Sequence, residues 1–399
     1  MKWRFATIGP GVLITAAFIG PGTLTLCTLA GTKMGLYLLW VVLLALLFSI
    51  FIQQLVAEMA WKKEIGLAQM LLRNAQHPFL KMAFLILILT AILVGNAAYE
   101  GGNLAGAALG FDGLLGRSQL PLETISIPLG LLAIGVLAGA VLWWGTTQLI
   151  KKILLGVVVV MSIYFLITSI MVQPPLAALL KGLFIPQWPR EQTQLVVGLL
   201  GTTIVPYNLF LHAHLVQQQK HTGLSHKALR RDTQIAIGLG GVISMCIVIA
   251  ASGVYGTPLE SAADLGKALV PLYGNGAEEV IALGLFAAGL SSAITAPLAA
   301  GRVAAECFGW STTSKKPRWV ALIVLGTGMA VVAFGWQPIQ IIRVAQWANG
   351  LLLPLVGGFL FYLVLHQKKE LQWSFATLVF LALAVLLFLL FSLRSLGFF

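Results

Sequence analysis

Long apolar stretches separated by short polar connectors follow one another along the chain. Most reach the length of roughly 20 residues that an α-helix needs to cross a hydrocarbon core of about 30 Å. The pattern therefore predicts an all-α integral membrane protein with about eleven transmembrane helices. The predicted helices cover residues 6–30, 36–60, 80–109, 124–145, 153–172, 194–218, 233–254, 278–306, 318–335, 339–365 and 374–393.

Proline interrupts two of these stretches. The first break is Ile19–Thr23 (Ile-Gly-Pro-Gly-Thr), and the second is Ile204–Asn208 (Ile-Val-Pro-Tyr-Asn). Because proline removes a backbone donor and clashes with the preceding turn, each break leaves backbone polar groups free at membrane depth. Only a ligand or a water-filled cavity can satisfy them there. Paired breaks of this kind indicate a transporter whose substrate binds between them.

The breaks divide the chain into two blocks of helices. Residues 1–172 form the first predicted block of five helices, and residues 194–365 form the second. Since five is odd, the second block enters the membrane in the opposite sense, which predicts a 5+5 inverted repeat with helices 1 and 6 broken. The eleventh helix, 374–393, lies outside the repeat and is expected to be peripheral in this single membrane domain.

Composition and charge agree with a membrane protein and orient it. Hydrophobic residues make up 59% of the chain and charged residues 10%, and the mean hydropathy is +0.93. With the N-terminus in the cytoplasm, seventeen of the 25 Lys and Arg residues lie in cytoplasmic connectors and six in outer ones, as the positive-inside rule requires. We expect a multi-pass protein of the cell (inner) membrane with its C-terminus outside. The net charge of +12 is spread over these loops, so no nucleic-acid partner is expected.

Several kinds of site find no support in the sequence. Cys27, Cys246 and Cys307 stand alone in apolar stretches, without the spacing of a disulfide framework or a zinc site. No nucleophile, base and orienting group converge, and no cofactor motif is present. We therefore expect neither an enzyme nor a bound cofactor, and we treat the cysteines as packing residues.

Glycine recurs every four residues in the third predicted helix, at Gly102, Gly106 and Gly110. Small residues at this spacing let a neighbouring helix approach closely. We expect these glycines to serve helix packing.

Carboxyl groups within predicted helices are rare, and they cost about 2.5 to 3.5 kcal/mol at a helix centre. Glu100 lies well inside the third helix, between Tyr99 and Asn103. It is either a hydrogen-bonded carboxyl at a packed interface or a group that couples transport to a second ion. Glu58 and Glu306 lie near cytoplasmic helix ends, where snorkelling or pairing with loop cations accounts for them.

Basic residues of the predicted helices supply further candidates. His212 and His214 are two residues apart, so they do not share a helix face and cannot chelate one ion there. We expect His212 to line the pathway as a proton carrier and His214 to pack or to face the cytoplasmic exit. Arg343 and Arg302 lie near the outer end of helix 10 and the inner end of helix 8. Either can attract an anion, but we expect each to pair with a neighbouring helix or to snorkel to the membrane interface.

Four longer motifs carry a resemblance to a known family. Gly9-Pro10-Gly11 precedes the first break, and Gly198–Gln217 surrounds the second. Ala287–Thr295 (Ala-Ala-Gly-Leu-Ser-Ser-Ala-Ile-Thr) and Gln346–Pro354 (Gln-Trp-Ala-Asn-Gly-Leu-Leu-Leu-Pro) follow in predicted helices 8 and 10. Over nearly its whole length the chain resembles the Nramp family. The resemblance implies the LeuT-type fold and secondary transport by alternating access, usually proton-coupled uptake of divalent transition metals.

The chain departs from the family pattern at both breaks. Where the family has Asp-Pro-Gly-Asn, this sequence has Gly20–Thr23 (Gly-Pro-Gly-Thr), and where it has Met-Pro-His-Asn, this sequence has Val205–Asn208 (Val-Pro-Tyr-Asn). A family Asp and Glu, three residues apart and tied to proton movement, align with Glu100 and Asn103, so one acid remains. The usual carboxylate, amide, thioether and imidazole groups are therefore replaced.

These departures change the predicted substrate. A doubly charged ion in a low-dielectric site needs charge compensation, without which burial costs several kcal/mol, and thioethers help to select transition metals. Half-helix N-termini with neutral hydrogen-bonding side chains suit a small anion or a polar neutral solute instead. The predicted substrate-binding residues are Gly20, Gly22, Thr23, Thr202, Val205, Tyr207, Asn208 and Gln346, and the predicted coupling or pathway residues are Glu100, Asn103, His212 and Arg343. No residue is assigned to a resident metal.

Three functions stay open at this point. The first is secondary transport of a small anion of bicarbonate type or of a polar neutral solute. The alternative is a divalent metal cation (Mn, Fe or Mg) carried with protons, with backbone and water as ligands. The second alternative is a non-transporting sensor, for which an appended soluble output domain is expected. The expected partners are a small inorganic ion or solute, a coupling proton or sodium ion, and the lipid bilayer, and the expected state is a monomer.

Overall fold

A computed structural model describes residues 10, 11, 15, 19–115, 119–121, 126–145, 148–220, 225–256, 264, 266, 276–311 and 313–398. The α-helices of this part are α1 (Pro21–Met34), α2 (Leu39–Lys63), α3 (Leu67–Asn74), α4 (Pro78–Leu89), α5 (Gly95–Leu115), α6 (Leu129–Trp144), α7 (Gln148–Met171), α8 (Leu176–Phe184), α9 (Thr193–Thr203), α10 (Pro206–Lys220), α11 (His226–Ser252), α12 (Ala277–Phe308), α13 (Lys316–Ala333), α14 (Pro338–Leu371) and α15 (Phe375–Ser395). A π-helical turn, Thr90–Val94, joins α4 to α5, and the 3₁₀ turn Arg190–Gln192 precedes α9.

The predicted all-α membrane fold is confirmed. Among the described residues, eight helical segments are long and apolar enough to cross a membrane, and α6 and part of α7 add two shorter apolar helices. The one departure is an antiparallel pair of three-residue strands, β1 (Gln119–Pro121) and β2 (Ser126–Pro128), between α5 and α6. The first predicted helix, 6–30, lies partly outside the described residues.

Both breaks lie where proline predicts them. Gly20 has an extended backbone (φ −109°, ψ −171°) and Pro21 opens α1. In the second half, α9 ends at Thr203 and α10 opens at Pro206. Proline suits the first helical position because its missing N–H would have no partner there in any case.

Two short helices were not predicted. Helix α3 is too short to span a membrane. It forms part of a connector, and its side chains Leu67, Met70 and Leu71 are buried. Helix α8 exposes Leu176, Leu180 and Phe184. Since these three lie four residues apart, they form one apolar face, as in helices that lie at a membrane surface.

Ion pairs bring together three predicted cytoplasmic helix ends. Lys63 at the end of α2 pairs with Glu370 at the end of α14. Lys220 at the end of α10 pairs with Glu64, the residue that follows α2. The C-terminal ends of α2, α10 and α14 therefore lie on the same side of the molecule, as the predicted alternation of helices requires.

The glycines of α5 allow three close helix contacts. A Cβ atom on Gly102 would lie 3.2 Å from Cβ of Ala345 in α14. A Cβ on Gly106 would overlap the ring of Pro21, and one on Gly110 would overlap the backbone of α12 at Phe286. The packing role expected for these glycines is therefore what the structure shows, and Gly106 brings α5 against the first break.

We predict that Gly106→Ala destabilises the protein. The added methyl group has no room beside Pro21, and overpacking of this kind costs about 1–3 kcal/mol. The control is Gly326→Ala, because Gly326 lies in α13 with open space around its Cα. Thermal melting of both variants in detergent should show a loss for Gly106→Ala only, and equal melting temperatures would contradict the contact.

Candidate functional site

The two breaks meet at α14. The side chain of Gln346 lies directly against Gly22 in the first break. Gly201, near the end of α9, packs against the backbone of Gln346 and Gly350. One turn of α14 thus touches both breaks.

All eight predicted substrate-binding residues are buried. We call this set the break site: Gly20, Gly22, Thr23, Thr202, Val205, Tyr207, Asn208 and Gln346. Tyr207 and Asn208 are 0% exposed and Gln346 is 1% exposed. The hydroxyl of Thr202 donates to the carbonyl oxygen of Leu199 (2.8 Å), so its own polar group is already satisfied within α9.

Several side chains of the break site carry buried polar atoms without a hydrogen bond. Among the described residues no partner lies in bonding geometry for the Tyr207 hydroxyl, for either amide atom of Asn208 or for Oε1 of Gln346. Asn349, one turn beyond Gln346, has an unpaired Nδ2 as well. An unpaired buried group costs about 1–3 kcal/mol, so their concentration at the second break and on the neighbouring turn of α14 indicates a site for a ligand or for ordered water.

Tyr99 of α5 belongs to the surroundings of this site. Its ring centroid lies 5.4 Å from that of Tyr207, with 55° between the ring planes. Tyr99 also lies near Gln346, and Tyr207 lies near Thr295 of α12. Tyr99 is predicted only as a neighbour of Glu100, and Asn349 is not among the predicted site residues. The spacing of three residues from Gln346 would have predicted Asn349 as a site residue. No local pattern in the sequence indicates that Tyr99 faces the breaks.

Glu100 and Asn103 contact each other but lie toward another helix. Asn103 Nδ2 donates to Glu100 Oε2 (3.2 Å), and the other carboxyl oxygen has no bond among the described residues. The side chain of Glu100 packs on Gly328 of α13 and is fully buried. No Lys or Arg of the described chain forms an ion pair with it. The geometry is that of a hydrogen-bonded carboxyl at a helix interface, and a coupling role stays a prediction.

The two histidines lie in different surroundings. His212 is fully buried, with Nδ1 2.7 Å from Gln53 Oε1 of α2 and Nε2 3.5 Å from Thr233 Oγ1 of α11. His214, and not His212, lines a cavity. Because α10 turns about 100° per residue, only one of them can face the opening. Helical spacing alone does not tell which one it is.

Two cavities approach the break site from different sides. The Arg343 cavity, about 280 Å³, is lined by Leu26, Gln194, Leu195, Trp336, Gln340, Arg343, Val344 and Trp347. The larger His214 cavity, about 600 Å³, has Leu211 and Ile294 in its lining and also includes Arg302, Glu306 and Arg318. Leu211 lies one turn beyond Tyr207, so this cavity ends about one helical turn from the break site on the α10 side.

Two side chains in the wall of the His214 cavity approach each other across helices, and they form an ion pair only when the histidine is protonated. His214 Nδ1 lies 3.7 Å from Glu306 Oε1 of α12. The Glu306 carboxyl also presses on Gly66, the residue that precedes α3. Glu306 of α12 therefore contacts both α10 and the residue before α3. These contacts explain why a carboxyl group lies near this helix end. Glu58, in contrast, accepts a bond from Gln54 one turn earlier (3.2 Å).

The chain is similar to known proteins over almost its whole length. The family model described as natural resistance-associated macrophage protein-like (Nramp) matches residues 11–397. A relative named divalent metal cation transporter MntH, from Klebsiella pneumoniae, is 29% identical over 373 residues, which cover 90% of this chain and 86% of the relative.

Solved structures are similar in fold. The Eremococcus coleocola manganese transporter, in complex with an aromatic bis-isothiourea substituted compound, has a TM-score of 0.76 at 20% identity, covering 97% of this chain and 85% of that one. MhsT in complex with L-phenylalanine has a TM-score of 0.61 at 16% identity, covering 98% of this chain and 100% of that one. This likeness confirms the predicted LeuT-type fold.

We predict that Gln53→Leu destabilises the protein, because it leaves the buried Nδ1 of His212 without its partner, at a cost of about 1–3 kcal/mol. The double variant Gln53→Leu with His212→Leu should recover part of the loss, since both polar groups are then gone. Exposed Gln337 supplies the control, Gln337→Leu. Melting temperatures in detergent test this, and a Gln53→Leu protein as stable as the control would contradict the bond.

Proposed function

The chain belongs to the Nramp family, and on this premise we propose that it is an alternating-access secondary transporter that binds a small inorganic ion between its two helix breaks. The family consists of membrane transporters rather than enzymes, so the prediction that the chain is not an enzyme is confirmed. The single observation that carries the proposed site is the group of unpaired polar atoms, all buried, on Tyr207, Asn208 and Gln346.

The arrangement of cavities supports alternating access. The break site is buried while one cavity approaches it from the Arg343 side and another from the His214 side. A transporter of this fold opens its central site to one side at a time by rocking one set of helices against another. A closed site between two cavities is the intermediate that such a cycle passes through.

A divalent metal cation is the first candidate substrate. The relative at 29% identity is named a divalent metal cation transporter, which favours this candidate over the anion that the residues alone placed first. The free acceptors at the break site are oxygens, namely Asn208 Oδ1, Gln346 Oε1 and the Tyr207 hydroxyl. Oxygen ligands suit hard ions such as Mg²⁺ or Mn²⁺, which also keep some of their water. Val205 offers no thioether, so a preference for softer metals has no basis here.

A small anion of bicarbonate type is the second candidate, and one specific observation favours it. Neither α1 nor α10 has an acidic residue in its first turn. The positive ends of both half-helices are therefore not compensated. Asn208 Nδ2 and Asn349 Nδ2 are unpaired donors in the same region. Helix N-termini with free N–H donors are a common anion-binding arrangement.

The proposal also covers the oligomeric state, the topology, the repeats and the coupling residues. We propose a monomer of the cell membrane, with the N-terminus in the cytoplasm, the C-terminus outside, and inverted repeats at residues 1–172 and 194–365. Glu100 with Asn103 is the proposed coupling pair, with a proton or a sodium ion as the coupled ion. His214 replaces His212 as the pathway histidine, because it lies in the cavity wall.

We predict that purified protein in proteoliposomes takes up ⁵⁴Mn²⁺ or Mg²⁺ with saturable kinetics if the first candidate is correct, and ¹⁴C-bicarbonate if the second is. Empty liposomes give the background, and a membrane potential of either sign separates the two, since it drives cations and anions in opposite directions. Uptake of neither ion in either gradient would contradict both candidates.

We predict that Tyr207→Phe and Asn208→Ala each reduce uptake while the protein stays folded. Removing one hydrogen bond to a bound ion should weaken binding roughly tenfold, equivalent to about 1.4 kcal/mol. Tyr362→Phe is the matched control, because its hydroxyl bonds the carbonyl of Asn74 (2.9 Å) away from the breaks. Apparent KM values measured for all three test this, and unchanged values for Tyr207→Phe and Asn208→Ala would remove both residues from the site.

A further inference from the structure

Arg343 lies at the mouth of one cavity and has no ion-pair partner in the described part of the chain. It lies in the second turn of α14, and its side chain is exposed. No carboxylate of the described chain forms an ion pair with it, and no Asp or Glu lines the Arg343 cavity. A guanidinium is charged at any physiological pH, so this cavity carries a permanent positive charge.

The cavity leads toward the break site along α14. Arg343 and Gln346 are three residues apart and are therefore neighbours on the helix surface. Gln346 in turn lies against Gly22 of the first break. Leu26 of α1, one turn beyond Gly22, lines the same cavity. An ion that enters from this side meets Arg343 before it meets the break site.

The walls strengthen the effect of this charge. Trp336 and Trp347 supply low-dielectric surface, while the amides of Gln194 and Gln340 are the other polar side chains in the lining. A charged group in a concave cavity with such walls focuses its field on the space inside. A guanidinium beside amide donors also matches the geometry of an oxyanion.

We propose that Arg343 is the charge-selecting residue of this entrance, where it concentrates small anions and repels cations before they reach the break site. The inference rests on the proposed position of the substrate site but not on which ion is carried. For an anion, Arg343 forms a first holding site on the way in. For a divalent cation, Arg343 slows entry from this side. Replacing Arg343 by a neutral residue should therefore raise the apparent KM of an anion and lower that of a cation.

A reactivity assay tests the charge without any transport. Gln340→Cys places a thiol in the cavity wall. Cys27 and Cys246 of the natural chain are buried, and the partly exposed Cys307 is replaced by Ser in every variant. In purified protein in detergent, the label rates of a negative and a positive methanethiosulfonate reagent are compared, with the unsubstituted chain as background. Adding Arg343→Gln should lower the negative-to-positive rate ratio by roughly threefold to tenfold at low salt, as expected for loss of one nearby charge. Arg343→Lys should keep the ratio, and high salt should remove the difference.

Arg394→Gln is the matched control, because the Arg394 guanidinium lies 4.7 Å from the ring centroid of Trp188 and is not part of the cavity lining. An unchanged ratio in Arg343→Gln, an equal change in Arg394→Gln, or a Gln340→Cys thiol that reacts with neither reagent would overturn the proposal. Uptake adds a second readout: Arg343→Gln should raise the apparent KM of a transported anion, or lower that of a transported cation, with the maximal rate unchanged. If neither ion is transported, the proposed function fails while the rate ratio still decides the role of Arg343.

Discussion

Hydrocarbon offers no hydrogen bonds, so every polar group at membrane depth must find its partner within the protein. Many helical side chains meet this requirement locally, as when the hydroxyl of Thr28 donates to the carbonyl of Leu24 (2.7 Å). At the second break and on the turn of α14 that faces the first break it is not met, because Asn208 and Gln346 keep unpaired atoms in a buried place. The fold around them supplies no partner among the described residues. The proposed substrate or ordered water would supply these missing partners.

The helix packing around the break site also divides the helices into two sets. The bonds of His212 to Gln53 and Thr233 tie α10 to α2 and α11. Helix α5 packs closely on α12 and α13 instead. Where the two sets meet, Gly106 lies against the ring of Pro21, a contact without hydrogen bonds. The His214–Glu306 contact also lies between the sets, because it joins α10 to α12. The proposed rocking of one set against the other would therefore have to change both contacts.

The sequence predicted most of this fold and only part of the site. Helix number, the two breaks and the packing role of Gly106 follow from apolar length, proline and glycine spacing, all of which act locally. The partners of His212 and the approach of Tyr99 to Tyr207 were not predictable, since they depend on which helix faces which. The amphipathic helices α3 and α8 are not predicted, because each is short and lies within a connector between membrane spans. A pattern of membrane-spanning length does not detect such helices.

If Glu100 is the coupling residue proposed above, the sign of the substrate charge decides which protonation state of its carboxyl favours binding. At an effective dielectric constant of about 20, a carboxylate and a divalent ion about 10 Å apart attract each other by roughly 3 kcal/mol, which is less than the several kcal/mol that removing the water of such an ion costs. Under the cation proposal, the ion would therefore keep part of its hydration shell and would gain from an ionised carboxyl. Under the anion proposal, the same carboxylate would repel a monovalent substrate with about half that energy, so a protonated carboxyl would favour binding. Either proposal implies reciprocal coupling between a proton on Glu100 and the ion between the breaks, although no described contact joins them directly.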